Sequence, residues 1–245
     1  VSLLLAFDTS TETCSVALLE RQQVLAVREV TRASGFGGHS EHVLQLVSEV
    51  LAATGHDLLA CDAIAFGAGP GAFTGLRVAC AVAQGLALGI GCPLLAVDCL
   101  TAVGLAAFHQ AGFNSLQQQG RPAARVLVLQ DARMGEVYAE LLDIEAGQVT
   151  VQEGPMLVTP EHAFDASGAL DLVCGSALAL YPQMAKLAPW SSAVSHPDAG
   201  AIAQIGALML EQGGACEPAA AAPIYVRDQV ALTIAQRAAG QRMPA

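Results

Sequence analysis

Residues 67–93 read GAGPGAFTGLRVACAVAQGLALGIGCP, and the rest of the chain is organised around them. The stretch opens on the loop Gly67-Ala68-Gly69-Pro70-Gly71, directly after the apolar run Ala63-Ile64-Ala65-Phe66. Glycine reaches backbone conformations closed to other residues and Pro70 fixes its own φ, so a tight loop is expected. Thr74 is the expected N-cap of a helix running to Ile90. At a spacing of four, Gly75, Ala79, Ala83 and Ala87 form one line of very small side chains, and Ala81, Gly85 and Gly89 form a second. Val78, Val82, Leu86 and Ile90 form a bulky third. Residues four apart stack on one face, so the helix has one packing ridge and smooth faces that another backbone can approach closely. Arg77 and Gln84 are almost its only polar groups, and a helix apolar all round must be buried, in its own domain or against a partner.

Two other readings of the stretch are set aside. The apolar run between Val78 and Ile90 falls short of the roughly twenty residues of a membrane span and contains Gln84. A phosphate-binding loop would need the Lys and Ser/Thr of a P-loop or a G-x-G-x-x-G spacing, and the loop has neither. A glycine-rich turn at a helix N-terminus still attracts anions, which leaves Gly69 and Gly71 as phosphate contacts.

Composition narrows the classes further. At 245 residues the chain suits one large or two small domains with a real core. Hydrophobic content is 53%, charged content 13%, and the net charge −11, with Lys186 the only lysine. An acidic surface repels phosphate backbones, so the chain is not expected to grip nucleic acid by itself. So few charges leave much surface apolar, which points to a partner. The seven cysteines (14, 61, 80, 92, 99, 174 and 216) lie mostly in apolar runs without a C-x-x-C, as small buried hydrophobes in a reducing compartment do. The opening apolar run lacks a basic flank and leads straight into Asp8, so it is read as a strand rather than a signal peptide.

Outward from the central stretch, three strands joined by short turns are expected over the first thirty residues, the first ending in Asp8-Thr9-Ser10-Thr11-Glu12. A helix from Ser40 presents Val43, Leu46, Val47 and Val50 on one face. After a fifth strand, Leu94-Leu95-Ala96-Val97-Asp98, a helix over 101–108 and a glutamine-rich boundary over 112–122, the opening pattern returns. Arg125-Val126-Leu127-Val128-Leu129-Gln130 ends in Asp131-Ala132-Arg133-Met134-Gly135 and a returning strand, about 120 residues after the first occurrence, which predicts a duplicated fold of two related lobes. Short helices over 161–166 and 177–187, a strand at 172–174, a helix capped by Asp198 and an alanine- and proline-rich linker at 217–223 complete the chain. The expected divisions are an N-terminal lobe (1–110), a C-terminal lobe (111–227) and a frayed tail (228–245).

Four motifs come in a telling order: Asp8-Thr9-Ser10 at a strand end; Gly69-Pro70-Gly71-Ala72-Phe73-Thr74-Gly75-Leu76-Arg77; Asp131-Ala132-Arg133-Met134-Gly135-Glu136-Val137-Tyr138; and Pro223-Ile224-Tyr225-Val226-Arg227. Together they resemble the TsaB family, the dimerisation subunits of the bacterial complex that installs threonylcarbamoyl on tRNA adenosine beside the anticodon. The resemblance implies an α/β chain with the two-lobed actin, Hsp70 and sugar-kinase (ASKHA) fold, in which a mixed-sheet lobe is duplicated. It implies a cytoplasmic scaffold without catalysis that pairs with the catalytic paralogue TsaD and with the ATPase TsaE, meets tRNA only through that complex, and closes a homodimer when alone. The partner surface is expected on the two helices of the first lobe, through Val43, Leu46, Val47 and Val50 and through Gly75, Ala79, Ala83 and Ala87.

The resemblance implies no cofactor of the chain's own, with ATP or ADP held weakly or at a surface shared with a partner. It also sharpens the metal question. The paralogue carries a metal-binding His-x-x-x-His after its fifth strand, where this chain offers Cys99 and Val103; valine cannot ligate, so no metal site is expected. His39 and His42 lack a third ligand, and an older metallopeptidase attribution for the superfamily loses support on the same ground. Ser10, Ser40 and Ser176 have no G-x-S-x-G context. The competing reading is an ATP-dependent small-molecule kinase of the same fold, in which Asp8, Thr9, Ser10, Gly69, Gly71 and Asp131 would face phosphates and metal. Against it, the turn after Asp8 lacks the glycine that lets amides wrap a phosphate, and both aspartates also suit plain turn-capping roles.

Overall fold

A computed structural model describes residues 3–31, 39–112, 123–164 and 168–227. Strand β1 (Leu3–Asp8) is buried along its whole length, as an unbroken apolar run should be. It pairs antiparallel with β2 (Thr13–Glu20), which pairs antiparallel with β3 (Gln23–Thr31). On its other side β1 pairs parallel with β4 (Ala63–Gly69), and β4 pairs parallel with β5 (Leu94–Asp98). The order is therefore β3-β2-β1-β4-β5. The second half builds β6 (Ala124–Arg133), β7 (Glu136–Glu145), β8 (Gln148–Val158), β9 (Leu172–Cys174) and β10 (Trp190–Ser191) into a sheet of order β8-β7-β6-β9-β10. Its strand directions repeat those of the first sheet pair for pair. The duplicated two-lobed α/β plan expected from the sequence is the plan observed.

Helices α1 (His39–Thr54) and α2 (Phe73–Ile90) pack side by side on the outer face of the first sheet. Between the two sheets lie α3 (Cys99–Gln110) and α5 (Ala199–Glu211), whose Leu100, Leu105, Phe108, Ile202 and Ile205 share one apolar core with both sheets. Among the described residues, the outer face of the second sheet is covered by short pieces: α4 (Ala177–Leu180) and the 3-10 turns His162–Phe164 and Pro182–Lys186.

The inner layer changes the expected division of the chain. Helix α3 follows β5 yet packs mainly on β6 and β7, whereas α5, from the second half, packs on β1, β2 and β4. Each lobe lends a helix to the other's sheet, so a cut at residue 110 separates the sequence but not the layers.

Local chemistry also moves some boundaries. Helix α2 begins at Phe73 with Ala72, not Thr74, at its N-cap, and the cap makes no side-chain bond. Neighbouring backbone does part of the work a cap would do, since the Ala72 N–H donates to Ser10 O at 2.7 Å. Gly91 ends the helix in a left-handed conformation (φ 75°), as expected of a C-cap glycine. By length and hydropathy alone α2 could cross a membrane; here its Gly75, Leu76, Ala79, Cys80, Ala83 and Ala87 are buried, the three alanines and Cys80 against the first sheet. Asp198 caps α5 as expected, accepting from the Ala201 N–H at 3.0 Å. The expected boundary at 113–122 and the tail at 228–245 lie outside the described residues.

Candidate functional site

A cleft of about 940 Å³ runs between the lobes. One wall comes from Ser10, Thr11 and Thr13 of the β1–β2 turn with Gly71 and Phe73; the other from Gln130, Asp131, Arg133 and Ser176. This cleft gathers part of the expected phosphate-contacting set, namely Ser10, Gly71 and Asp131.

The rest of that set is turned inward. Asp8 is fully buried. Its Oδ1 accepts from Ser10 N–H at 3.0 Å and from Ser10 Oγ at 2.9 Å, and the Cys99 thiol donates to its Oδ2 at 3.6 Å. Gly67 presses on the same carboxyl so closely that a Cβ there would lie 1.9 Å from Oδ2. Burial pushes the Asp8 carboxyl up to about 7, against the opposing pull of the Ser10 and Cys99 hydrogen bonds. A kinase of this fold would present Asp8 to phosphate and metal; here it is a sealed group that holds the turn. Thr9 is buried as well and donates to Gly75 O at 2.8 Å. Gly69, at φ 126°, faces Ile224 O rather than the cleft.

Asp131, at the matching point of the second lobe, is half-open. Its Oδ1 accepts from Arg133 N–H at 2.8 Å and its Oδ2 lies 3.3 Å from the Arg133 guanidinium. Ser176 ties the same segment down, accepting from Asp131 N–H at 3.0 Å and donating to Gln130 Oε1. Of the positions weighed for metal, Cys99 lies against Asp8 and Val103 sits in the core between the sheets. His42 lines the cleft, and the His39 side chain lies outside the described residues.

The expected partner residues need correction. Val43, Leu46, Val47 and Val50 are buried in the core beneath α1, and Ala79, Ala83 and Ala87 lie in the same core beneath α2. Gly75 is spent on the β1–β2 turn, where a Cβ would come within 1.9 Å of Thr9 O. These lines let the helices sit down on their own sheet. What faces outward is the other small-residue line of α2: Ala81, Gly85 and Gly89 are exposed, with Leu88 66% exposed and Phe73 48% exposed beside them. On α1 the outward apolar residue is Leu44, 48% exposed. A Cβ at Gly85 or Gly89 would meet no atom within 4 Å. Phe73, Arg77, Val78, Ala81 and Val82 line a shallow groove along this face.

One polar cluster escaped the sequence reading. Asp98 caps α3, accepting from Leu100 N–H at 2.7 Å, and Thr101 donates to Glu140 Oε2 at 2.8 Å. Glu140 Oε1 is buried with no hydrogen-bond partner. Burial first, and then the nearby Asp98 carboxyl, push Glu140 up to about 8, while burial pushes Asp98 up to about 6. The available signal was a glutamate in the middle of β7, between Val137, Tyr138 and Ala139 on one side and Leu141 and Leu142 on the other.

Comparison with known proteins follows the same lines. Residues 35–184 match the family model TsaD, tRNA N6-adenosine threonylcarbamoyltransferase. The tRNA threonylcarbamoyladenosine biosynthesis protein TsaB of Escherichia coli is 33% identical over 235 residues, 93% of this chain and 96% of that protein. The chain belongs to the TsaB family. The TsaB protein of Haemophilus influenzae is 44% identical over 137 residues, 55% of this chain and 51% of that protein. Among solved structures, a Pseudomonas aeruginosa protein described as uncharacterized with similarity to peptidase YEAZ superposes with a TM-score of 0.79 at 33% identity. The superposition covers 93% of this chain and all of that one. The likeness to the Escherichia coli TsaB protein thus takes in most of the chain, both lobes included.

Proposed function

We propose that this chain is the non-catalytic dimerisation subunit in the synthesis of threonylcarbamoyladenosine on tRNA, binding the catalytic paralogue TsaD and, with it, the ATPase TsaE. The observation that carries the reading is the outward line Ala81, Gly85, Leu88 and Gly89 on α2, a smooth apolar strip left exposed by the described residues. Such a strip lets a second helix approach closely, and its exposure in a lone chain is unfavourable. Leu44 of α1 and Phe73 at the start of α2 extend it. In this reading a second copy of the chain covers the strip when TsaD is absent. A role without catalysis fits a cleft whose first aspartate is sealed beneath Ser10, Gly67 and Cys99. Contact with tRNA comes through the complex, because the chain carries a net charge of −11 and one lysine.

The test is reconstitution with TsaD, TsaE and unmodified tRNA. Omitting this chain should abolish modification. Leu88→Asp should weaken assembly by about ten-fold or more while thermal melting stays at the parent value, since a charge is placed in a contact and not in the core. Full assembly by both Leu88→Asp and Gly85→Arg would remove this face as the interface. Micromolar, salt-sensitive tRNA binding by the chain alone in a gel shift would overturn the indirect role.

A further inference from the structure

The last described residues do something that neither lobe does for itself. Beyond α5, Cys216 pairs with the edge strand β5, exchanging two backbone hydrogen bonds of 2.9 Å with Leu94. The chain then crosses α2, where Gln84 Nε2 donates to Pro218 O at 3.0 Å and to Ala221 O at 3.2 Å. Ile224 N–H donates to Ala68 O at 2.8 Å, at the end of β4. The Tyr225 ring lies 5.7 Å from that of Phe73, and its hydroxyl accepts from Arg77 Nε at 3.2 Å. Each of these contacts is made to the first lobe.

Two residues later every contact is made to the second. The Arg227 guanidinium reaches Glu136 Oε2 at 2.7 Å and donates to Ala132 O at 2.9 Å and Arg133 O at 3.4 Å. It thereby grips the β6–β7 turn, whose Ala132 and Arg133 form part of the cleft wall, while Phe73 and Pro70 under the strap form part of the opposite wall. The Arg227 side chain is only 11% exposed. A guanidinium so covered is stable only while its carboxylate and carbonyl partners hold it; with a partner removed, it is better off in water.

We propose that residues 216–227 are a latch that fixes the separation of the two lobes, with Arg227 on Glu136 as its lock. The inner helices α3 and α5 join the sheets through apolar packing, which tolerates small sliding. The latch adds a directional, charge-assisted tie at the cleft rim, and a guanidinium held through both terminal nitrogens, one on Glu136 and one on the carbonyls, sets distance as well as attraction. Opening the cleft requires Arg227 to leave, and anything that competes for Glu136 or for the turn carbonyls opens it. The proposal concerns this chain's own lobes and holds whichever partner covers α2.

The test measures the lobe separation in the full chain. Spin labels at Glu12→Cys and Leu180→Cys, both at the cleft lining, report the distance across it by pulsed electron resonance, with Cys216→Ser removing the one native cysteine that is not buried. In the parent the distance distribution should be narrow. Arg227→Gln and Glu136→Gln should each widen it and shift it outward by several ångströms, and Arg227→Lys, which keeps the charge but loses the fork, should lie between. Melting midpoints within about 3 °C of the parent show that the lobes themselves stay folded. An unchanged distribution in both glutamine variants overturns the latch. So does widening by Arg227→Gln alone, because the effect would then belong to strap packing and not to the lock.

Discussion

Asp8 and Asp131 end the first strand of their respective lobes and begin the same kind of turn, yet the two turns are finished in opposite ways. The first is sewn under the start of α2: Thr9 donates to Gly75 O, Ala72 donates to Ser10 O, and the Asp8 carboxyl is enclosed without any cationic partner. The second is pinned by Ser176 and by Arg227 from the strap, and its carboxylate meets an arginine that is 81% exposed. The difference follows from what stands behind each turn. A long helix, α2, abuts the first and excludes water; behind the second stands only the four-residue α4, and solvent remains close. A shared strand order therefore does not carry a shared electrostatic role. The duplicated aspartate is sealed by burial in one lobe and paired with an arginine in the other.

The strongest test of this contrast is the closure of the first turn. Gly75→Ala places a Cβ where Thr9 O already sits, so either the turn or α2 must move; a stability loss of about 2–3 kcal/mol is expected. Gly85→Ala, three turns along the same helix, meets nothing and removes a glycine from a helix interior, so a gain of about 0.5–1 kcal/mol is expected. Equilibrium denaturation of the pair decides the matter. Losses of equal size would mean that the two faces of α2 are equally packed.

Those two glycines also show where the sequence stops being informative. Spacing of four separated the lines of α2 correctly, and it separated Val43, Leu46, Val47 and Val50 from the rest of α1. What spacing cannot supply is which line meets the sheet, because Gly75-Ala79-Ala83-Ala87 and Ala81-Gly85-Gly89 are chemically alike. That choice is made by the face of the folded sheet, β4 above all, and not by the helix's own pattern. The strands were legible because β1 and β4 are unbroken apolar runs and β6 carries one from Val126 to Leu129, each followed by turn residues. The crossing of α3 and α5 was not, since their apolar faces suit either sheet. Cys99 against Asp8, and Glu140 against Thr101, are contacts between distant residues that no local pattern encodes.

A pH series probes the sealed carboxyl directly. Asp8 has a folded value of about 7 against 3.8 for the free side chain, so between pH 4 and 7 unfolding releases a proton that the folded state keeps. Its contribution to stability is therefore greatest below pH 4, is lost progressively as pH rises through 7, and then stays constant. Glu140 and Asp98, with values of about 8 and 6, act in the same direction. Asp8→Asn keeps an acceptor for Ser10 and can never ionise. It should melt with the parent at pH 4 and exceed it at pH 8 by on the order of 2 kcal/mol. A variant that is less stable at both pH values would show that the carboxylate is favoured in place.

The smallest effect is expected at Asp131. Alanine there removes the acceptor of the Arg133 N–H and an ion pair whose arginine is exposed. Turn-capping bonds are worth about 1 kcal/mol and an ion pair with an exposed arginine a few tenths, so a loss of about 0.5–1 kcal/mol is expected. The Ser176 and Arg227 contacts to the turn's backbone remain and should keep the cleft wall in place. Asp8→Ala, by contrast, empties a dry pocket beneath α2 and strands the Ser10 donors, which should cost more, by about 1–3 kcal/mol. Thermal melting of the two alanine variants side by side measures the asymmetry. If Asp131→Ala instead abolished threonylcarbamoylation in the reconstituted system while melting and assembly stayed normal, the half-open aspartate would be a contact for something bound in the cleft, and the second lobe would carry a role that its turn geometry alone does not require.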